Sequence, residues 1–277
     1  MRSPRPFNPW VPTVKWHAGA VLRERSFGRD RRHEGPIRRR LYAGGNMATI
    51  GVFTIGQSPR PDVVPEMCRI WGRGHGVLER GALDHLGPME LGSLLPDPGE
   101  DLFVSRLRTG EPVTLGQQKL LPFLQQCVDE LEARGADVLV PLCAGRLPSL
   151  RHRRLLLDTG GVVKAFVRGV LPRGRLGILT ADPRQERQQA REWAGVGPEC
   201  TVVGASPYGG ADEFHDAALR LWRWMGGRCD LILLECIGHT AAMREEVREL
   251  TGVSVVTARS IVARAVAELL DCLSSLD

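Results

Sequence analysis

From Met47 onward, short uninterrupted apolar runs alternate with longer segments whose apolar residues recur at helical spacing. Ala48–Ile55 predicts a strand. Pro61–Trp71 predicts a helix with Pro61 in its first turn, where the missing N–H costs nothing. Gln117–Arg134 predicts an amphipathic helix stopped by Gly135, followed by a strand over 137–142 and a helix over Val162–Val170. The alternation then continues as strand Arg175–Leu179, helix Pro183–Trp193, strand Thr201–Gly204 and helix Ala211–Met225. It closes with strand Leu231–Glu235, helix Ala241–Leu250, strand Val253–Thr257 and helix Ser260–Leu273. Residues 72–116 are rich in Gly and Pro and carry no period that predicts an element.

The strands lack a two-residue alternation, which predicts parallel sheets covered by helices on both faces, an α/β fold. Two segments repeat one another: Asp137-Val138-Leu139-Val140-Pro141-Leu142-Cys143-Ala144-Gly145 and Asp230-Leu231-Ile232-Leu233-Leu234-Glu235-Cys236-Ile237-Gly238. Each opens on Asp, runs through buried-strand residues and ends in Cys-X-Gly. The repeat predicts two pseudo-symmetric lobes. Ligands of open α/β sheets bind beyond the carboxyl ends of strands, so Cys143 and Cys236 are candidates to flank one ligand from opposite sides. The competing reading makes them small buried residues that only pack.

Composition adds bounds. The chain has 277 residues and a net charge of +5, yet residues 1–46 hold 11 Lys/Arg against 3 Asp/Glu. That surplus of +8 leaves −3 for the remainder, so the folded body is not expected to bind nucleic acid. Residues 1–46 have few aliphatics, scattered Pro and basic clusters, and are expected to be disordered or a mis-called start, with the fold beginning near Met47. A basic tail touching nucleic acid or an anionic membrane is the alternative. No apolar run is long enough for a membrane span or an export signal. Seven cysteines without a CxxC pair fit a reducing cytoplasm. Neither metal nor cofactor is expected, since His and Cys lack ligand spacing. Gly72-Arg73-Gly74-His75-Gly76 lacks the Lys-Ser/Thr of a phosphate loop, and Gly204-Ala205-Ser206 does not complete a nucleophile elbow.

The segment Thr54-Ile55-Gly56-Gln57-Ser58-Pro59-Arg60-Pro61-Asp62 resembles the opening of AroM family proteins. The likeness continues through Leu142-Cys143-Ala144-Gly145, Ser206-Pro207-Tyr208, Glu235-Cys236-Ile237-Gly238-His239-Thr240 and Ala258-Arg259-Ser260, and covers residues 47–272. That family is similar in turn to the aspartate/glutamate racemase superfamily, a wider pattern that Gly177-Ile178-Leu179-Thr180 also matches. The resemblance implies two α/β lobes, each presenting a cysteine to the substrate. Ala144 stands where a hydroxyl residue is more usual, and Glu235 and His239 where the family more often shows Asp and an aromatic.

Racemising an α-carbon requires removing a weakly acidic proton and returning one on the opposite face. A thiolate and a thiol do both without a cofactor, provided the base thiol has a depressed pKa. Backbone N–H groups after Cys143 (Ala144, Gly145) and after Cys236 (Gly238) are candidates to hold a substrate carboxylate. Ser58, Thr180 and Thr240 offer hydroxyls, and Arg60 a fork for a second acidic group. Gly56 and Gln57 belong to the same turn beyond the first strand, though that turn also reads as a simple N-cap at Ser58. Tyr208 reads as a lid or a plain turn residue, and His239 as a proton donor or a structural histidine. The expected function is a two-cysteine racemase or isomerase of a small amino acid or related carboxylate. The alternatives are a ligand-binding or regulatory protein on that scaffold and a one-thiol lyase or hydrolase. Homo-oligomerisation is left open.

Overall fold

The computed structural model describes residues 47–274, so the readings of residues 1–46 lie outside the described residues. The elements run β1 (Thr49–Thr54), α1 (Val64–Trp71), β2 (Gly76–Gly81), α2 (Pro88–Ser93), β3 (Leu102–Arg106) and β4 (Pro112–Gly116). There follow α3 (Leu121–Ala133), β5 (Val138–Pro141), β6 (Leu155–Leu156), α4 (Thr159–Val170), β7 (Arg175–Thr180) and α5 (Glu186–Trp193). The last are β8 (Glu199–Gly204), α6 (Ala211–Trp224), β9 (Leu231–Leu234), α7 (Ala241–Thr251), β10 (Val255–Thr257) and α8 (Ala258–Ser274).

Two four-stranded sheets, every pairing parallel, have the orders β2-β1-β5-β6 and β10-β9-β7-β8. Taken from its other edge the second reads β8-β7-β9-β10, the order of the first. The fold is therefore α/β with two pseudo-symmetric lobes. The symmetry extends to single hydrogen bonds. Asp137 accepts from the Thr49 N–H at 2.8 Å, and Asp230 from the Arg175 N–H at 2.8 Å. At the far end the Leu142 N–H donates to the Phe53 carbonyl at 2.7 Å, and the Glu235 N–H to the Leu179 carbonyl at 2.9 Å. The Asp that opens each repeat thus pins its strand's register, and a one-residue slip would turn every side chain to the other face. Cys143 and Cys236 emerge at equivalent positions for this reason.

Every residue of β5 and β9 is buried, because each sheet is covered on both sides. Ile50, Val52, Val138 and Val140 share one central core with Leu176, Ile178, Leu231 and Leu233, around α1, α4 and α8. The opposite faces pack outward, Phe53 and Leu139 against α3, and Leu179, Ile232 and Leu234 against α6 and α7. Among the described residues no helix is long and apolar enough to cross a membrane.

Several boundaries differ from the sequence expectation. The helix expected from Pro61 begins at Val64, because the Arg60 carbonyl accepts the N–H groups of Val63 and Val64, both at 3.0 Å, in a preceding turn. Gln118–Leu120 and Pro183–Gln185 are 3-10 turns leading into α3 and α5. Helix α4 starts earlier than expected, at Thr159, capped by Asp158 accepting from the Gly161 N–H at 2.9 Å. Its Gly160 permits a close approach, since a Cβ there would lie 2.9 Å from the Ala144 carbonyl oxygen. The unassigned stretch 72–116 holds β2, α2 and the antiparallel hairpin β3–β4. That hairpin buries Phe103 and Leu115 in the first lobe. Its Leu102 is bonded by second-lobe glutamines: the N–H donates to Gln188 and the carbonyl accepts from Gln185, each at 3.0 Å.

Candidate functional site

A cavity of about 30 Å³ lies where the strand ends of the two lobes meet. Cys143, Ala144 and Gly145 line it beyond β5, and Glu235, Cys236, Ile237 and Gly238 beyond β9. Phe103, Val104 and Ser105 of β3 contribute one wall, and Gln185, Gln188, Gln189 and Tyr208 another. Among the described residues no three His, Cys, Asp or Glu side chains are grouped as metal ligands.

Both turns share a local geometry. The Gly238 N–H donates to Cys236 Sγ at 3.3 Å, and the Gly145 amide, at the equivalent position, favours the Cys143 thiolate. The second Cys-X-Gly turn thus folds its own amide back onto the thiol. Of the three amides predicted to hold a carboxylate, that of Gly238 points at sulfur instead. Burial raises both thiols, contrary to the depressed value a base thiol requires. Cys236 is pushed up to about 11, by burial first and then by Glu235, against the opposing pull of the Gly238 amide, Arg60 and Arg259. Cys143 is driven higher still by burial, with Glu235, Cys236 and Glu192 adding to the rise and only the Gly145 amide resisting.

Arg259, 1% exposed at the start of α8, accounts for part of that asymmetry. Its guanidinium donates to the carbonyls of Ile237 at 2.8 Å and Gly238 at 2.9 Å, and pairs with Glu66 at 2.6 Å. On the other side the Thr159 hydroxyl donates to the Cys143 carbonyl. Glu235 is 5% exposed, and burial together with Glu192 raises it to about 7. The Thr180 hydroxyl lies 3.3 Å from Glu235 Oε2 and 3.4 Å from Gln185 Oε1, and its one proton serves either.

The remaining predicted residues lie outside the cavity lining and are bonded to other parts of the protein. Arg60 is 3% exposed and grips Asp62 with a two-pronged bond at 2.9 and 2.8 Å, so its fork is already occupied. Its third nitrogen donates to Thr54 at 2.9 Å, and another N–H donates to the Tyr208 hydroxyl at 3.0 Å. Arg106 lies across the Tyr208 ring, 5.9 Å from its centroid. Gln57 bridges the Leu83 carbonyl (3.2 Å) and the Arg108 N–H (2.8 Å), while Ser58 donates to Asp84 at 2.6 Å. Gly56 lies against β3, where a Cβ would come within 2.4 Å of the Arg106 carbonyl. Thr240 caps α7 by accepting from the Met243 N–H at 3.2 Å. His239 places Nε2 2.8 Å from the Ala205 carbonyl, which assigns the proton to that nitrogen, and burial holds the ring neutral with its pKa lowered to about 4.

Of the predicted positions, the cavity brings together Cys143, Ala144, Gly145, Tyr208, Cys236 and Gly238, and leaves Gly56, Gln57, Ser58, Arg60, Thr180, His239 and Thr240 outside its lining. It adds Glu235, Ser105, Phe103 and the three glutamines of the β7–α5 region. An acid closing an apolar strand was a readable signal for Glu235. The glutamines sit in a segment of charged residues with no apolar stripe to mark an inward face.

The described fold superimposes on allantoin racemase from Klebsiella pneumoniae with a TM-score of 0.54 at 15% identity, covering 82% of this chain and 88% of that one. For a glutamate racemase from Aquifex pyrophilus the TM-score is 0.53 at 14% identity, over 80% and 83% of the two chains. For the Picrophilus torridus aspartate racemase it is 0.51 at 9% identity, over 81% and 94%. At such identities the likeness is one of fold. No curated protein sequence matches significantly. The sequence model described as AroM protein matches residues 50–270, which spans both lobes and both Cys-X-Gly turns, and the chain belongs to the AroM family.

Proposed function

We propose that the protein moves a proton at the α-carbon of a small amino acid or related carboxylate, without a cofactor, between Cys143 and Cys236. The observation that carries this reading is that two thiols on pseudo-equivalent strand ends line one cavity. One thiolate takes the α-proton and becomes a thiol, leaving a carbanion delocalised into the neighbouring carbonyl. The other thiol then delivers its proton to the opposite face and becomes the thiolate, so charge and protons balance. Cys236 is the base in the resting direction, because Arg60 and Arg259 favour its thiolate whereas Glu192 disfavours that of Cys143. Glu235, titrating at about 7 on the same cavity wall, is the group suited to exchange the proton that Cys236 must first lose.

The same raised thiols favour a second reading, a binding protein whose cysteines stay protonated and only line the pocket. Proton NMR of the full chain with a panel of amino acids and small carboxylates in D₂O separates the two. Proton transfer predicts loss of an α-proton signal, slowed at least about 100-fold in Cys143→Ser and in Cys236→Ser. Ligand-induced thermal stabilisation with no exchange in the wild type supports the binding protein instead.

A further inference from the structure

Three buried glutamines stand around the cavity, and two are tied to the backbone of Leu102. Gln185 donates to the Leu102 carbonyl at 3.0 Å and has the Thr180 hydroxyl 3.4 Å from its oxygen. Gln188 accepts from the Leu102 N–H at 3.0 Å and lies 3.4 Å from Glu192. The third, Gln189, is 2% exposed, lines the cavity and leaves its Oε1 with no hydrogen-bond partner. Oε1 is the end of this carboxamide that is buried without a partner, and it needs a hydrogen-bond donor. A buried amide oxygen is normally satisfied, and one left unpaired on a residue of the cavity lining marks where a ligand can supply the missing donor.

The other polar groups of the lining are already paired inside the protein. The Tyr208 hydroxyl has Arg60, Ser105 has Thr54 and Arg60, and Glu235 has Thr180. No Lys or Arg is among the lining residues, and the nearby Arg60 is held by Asp62. A second carboxylate on a ligand would meet no cation there, and would face the acid Glu235. An amide group offers an N–H for the open Oε1 of Gln189 to accept, a donor that a carboxylate lacks.

We infer that Gln189 determines specificity by pairing with a carboxamide or ureido group of the ligand, so that the site takes amide-bearing amino acids in preference to dicarboxylates. This rests on the reading of the cavity as the ligand site, and it does not need the thiols to be catalytic.

The test uses the full chain with asparagine and glutamine against aspartate and glutamate, pairs that differ only in amide versus carboxylate. Binding is read by saturation-transfer NMR titration and α-proton exchange in D₂O on the same samples. At least one amide should bind about tenfold or more tighter than its acid, the worth of a matched hydrogen-bonding pair. Gln189→Leu should lose that preference, and the near-isosteric Gln189→Glu should weaken amide binding. The melting temperature of free Gln189→Leu should not fall, since an unsatisfied polar group has been removed; a structural role for the amide predicts a fall. Amide-selective binding without exchange leaves the Gln189 role standing and overturns the proton-transfer reading. Exchange of the acids as fast as the amides, or binding unmoved by either variant, overturns the Gln189 role and leaves proton transfer intact. Binding of none of the four compounds also overturns it.

Discussion

After β5 the chain reads Leu142-Cys143-Ala144-Gly145, and after β9 it reads Glu235-Cys236-Ile237-Gly238. In both turns the glycine amide favours the thiolate of its cysteine, and in both the residue before Cys is bonded to the lobe's first strand. The surroundings differ. The first turn has an apolar Leu142 and a hydroxyl on its carbonyl; the second has a buried acid before the thiol and a buried guanidinium clamping its carbonyls. The hydroxyl of the first strand's last residue follows the same division, Thr54 accepting from Arg60 and Thr180 facing Glu235. Pseudo-symmetric backbones thus place two identical side chains, and the layer behind them makes the thiols chemically unequal.

The comparison is broken most severely at the clamp. Arg259→Met strands the Ile237 and Gly238 carbonyls and leaves Glu66 without its cation, an expected loss of about 4 kcal/mol in a denaturant melt. Its counterpart Thr159→Val removes one hydrogen bond and should cost about 1 kcal/mol. Equal losses would mean that the two turns are supported alike.

A pH series on Glu235→Gln sharpens the electrostatic half of the contrast. The Glu235 carboxyl ionises at the ordinary 4.5 when unfolded and at about 7 when folded. Between those values the unfolded chain sheds its proton first, so this group lowers stability as pH rises, and the loss is complete above about 7. Relative to wild type, Glu235→Gln should gain about 3 kcal/mol between about pH 4 and about pH 8. A pH-independent difference would show that Glu235 is not held neutral by burial.

The glycines give a smaller contrast. A Cβ on Gly238 would lie 2.6 Å from the Tyr208 hydroxyl and 2.7 Å from Pro207 Cγ, whereas one on Gly145 meets Phe103 at 3.4 Å. Gly238→Ala should therefore cost about 2 kcal/mol and perturb Tyr208 fluorescence or NMR signals, while Gly145→Ala stays within about 0.5 kcal/mol of wild type. A reversed order would contradict the packing described for the two turns.

Much of the fold was legible because strands buried on both faces leave continuous apolar runs, and because Asp137 and Asp230 mark the same register position in each lobe. The hairpin β3–β4 was not legible. Its strands are short and lie among Gly and Pro, and they are held by contacts with distant elements rather than by a periodic face. The two cysteines were readable from position. Gln57, Ser58 and Thr240 looked equally ligand-facing in sequence, yet they are bonded to Leu83, Asp84 and the Met243 amide, partners that no local spacing announces.

Outside residues 72–116 and the short β6, sequence alone determined the order of strands and helices, the two-lobed repeat and the placement of a thiol at each lobe's strand end, because these follow from local periodicity and turn chemistry. Only the tertiary structure decided that Arg60 is spent on Asp62, that Arg259 reaches back from α8 to the Cys236 turn, and that Gln189 alone of three glutamines is left open. Those outcomes depend on which donors and acceptors meet across long stretches of chain, and hydrogen-bond pairing at such separations is fixed by packing rather than by neighbouring residues.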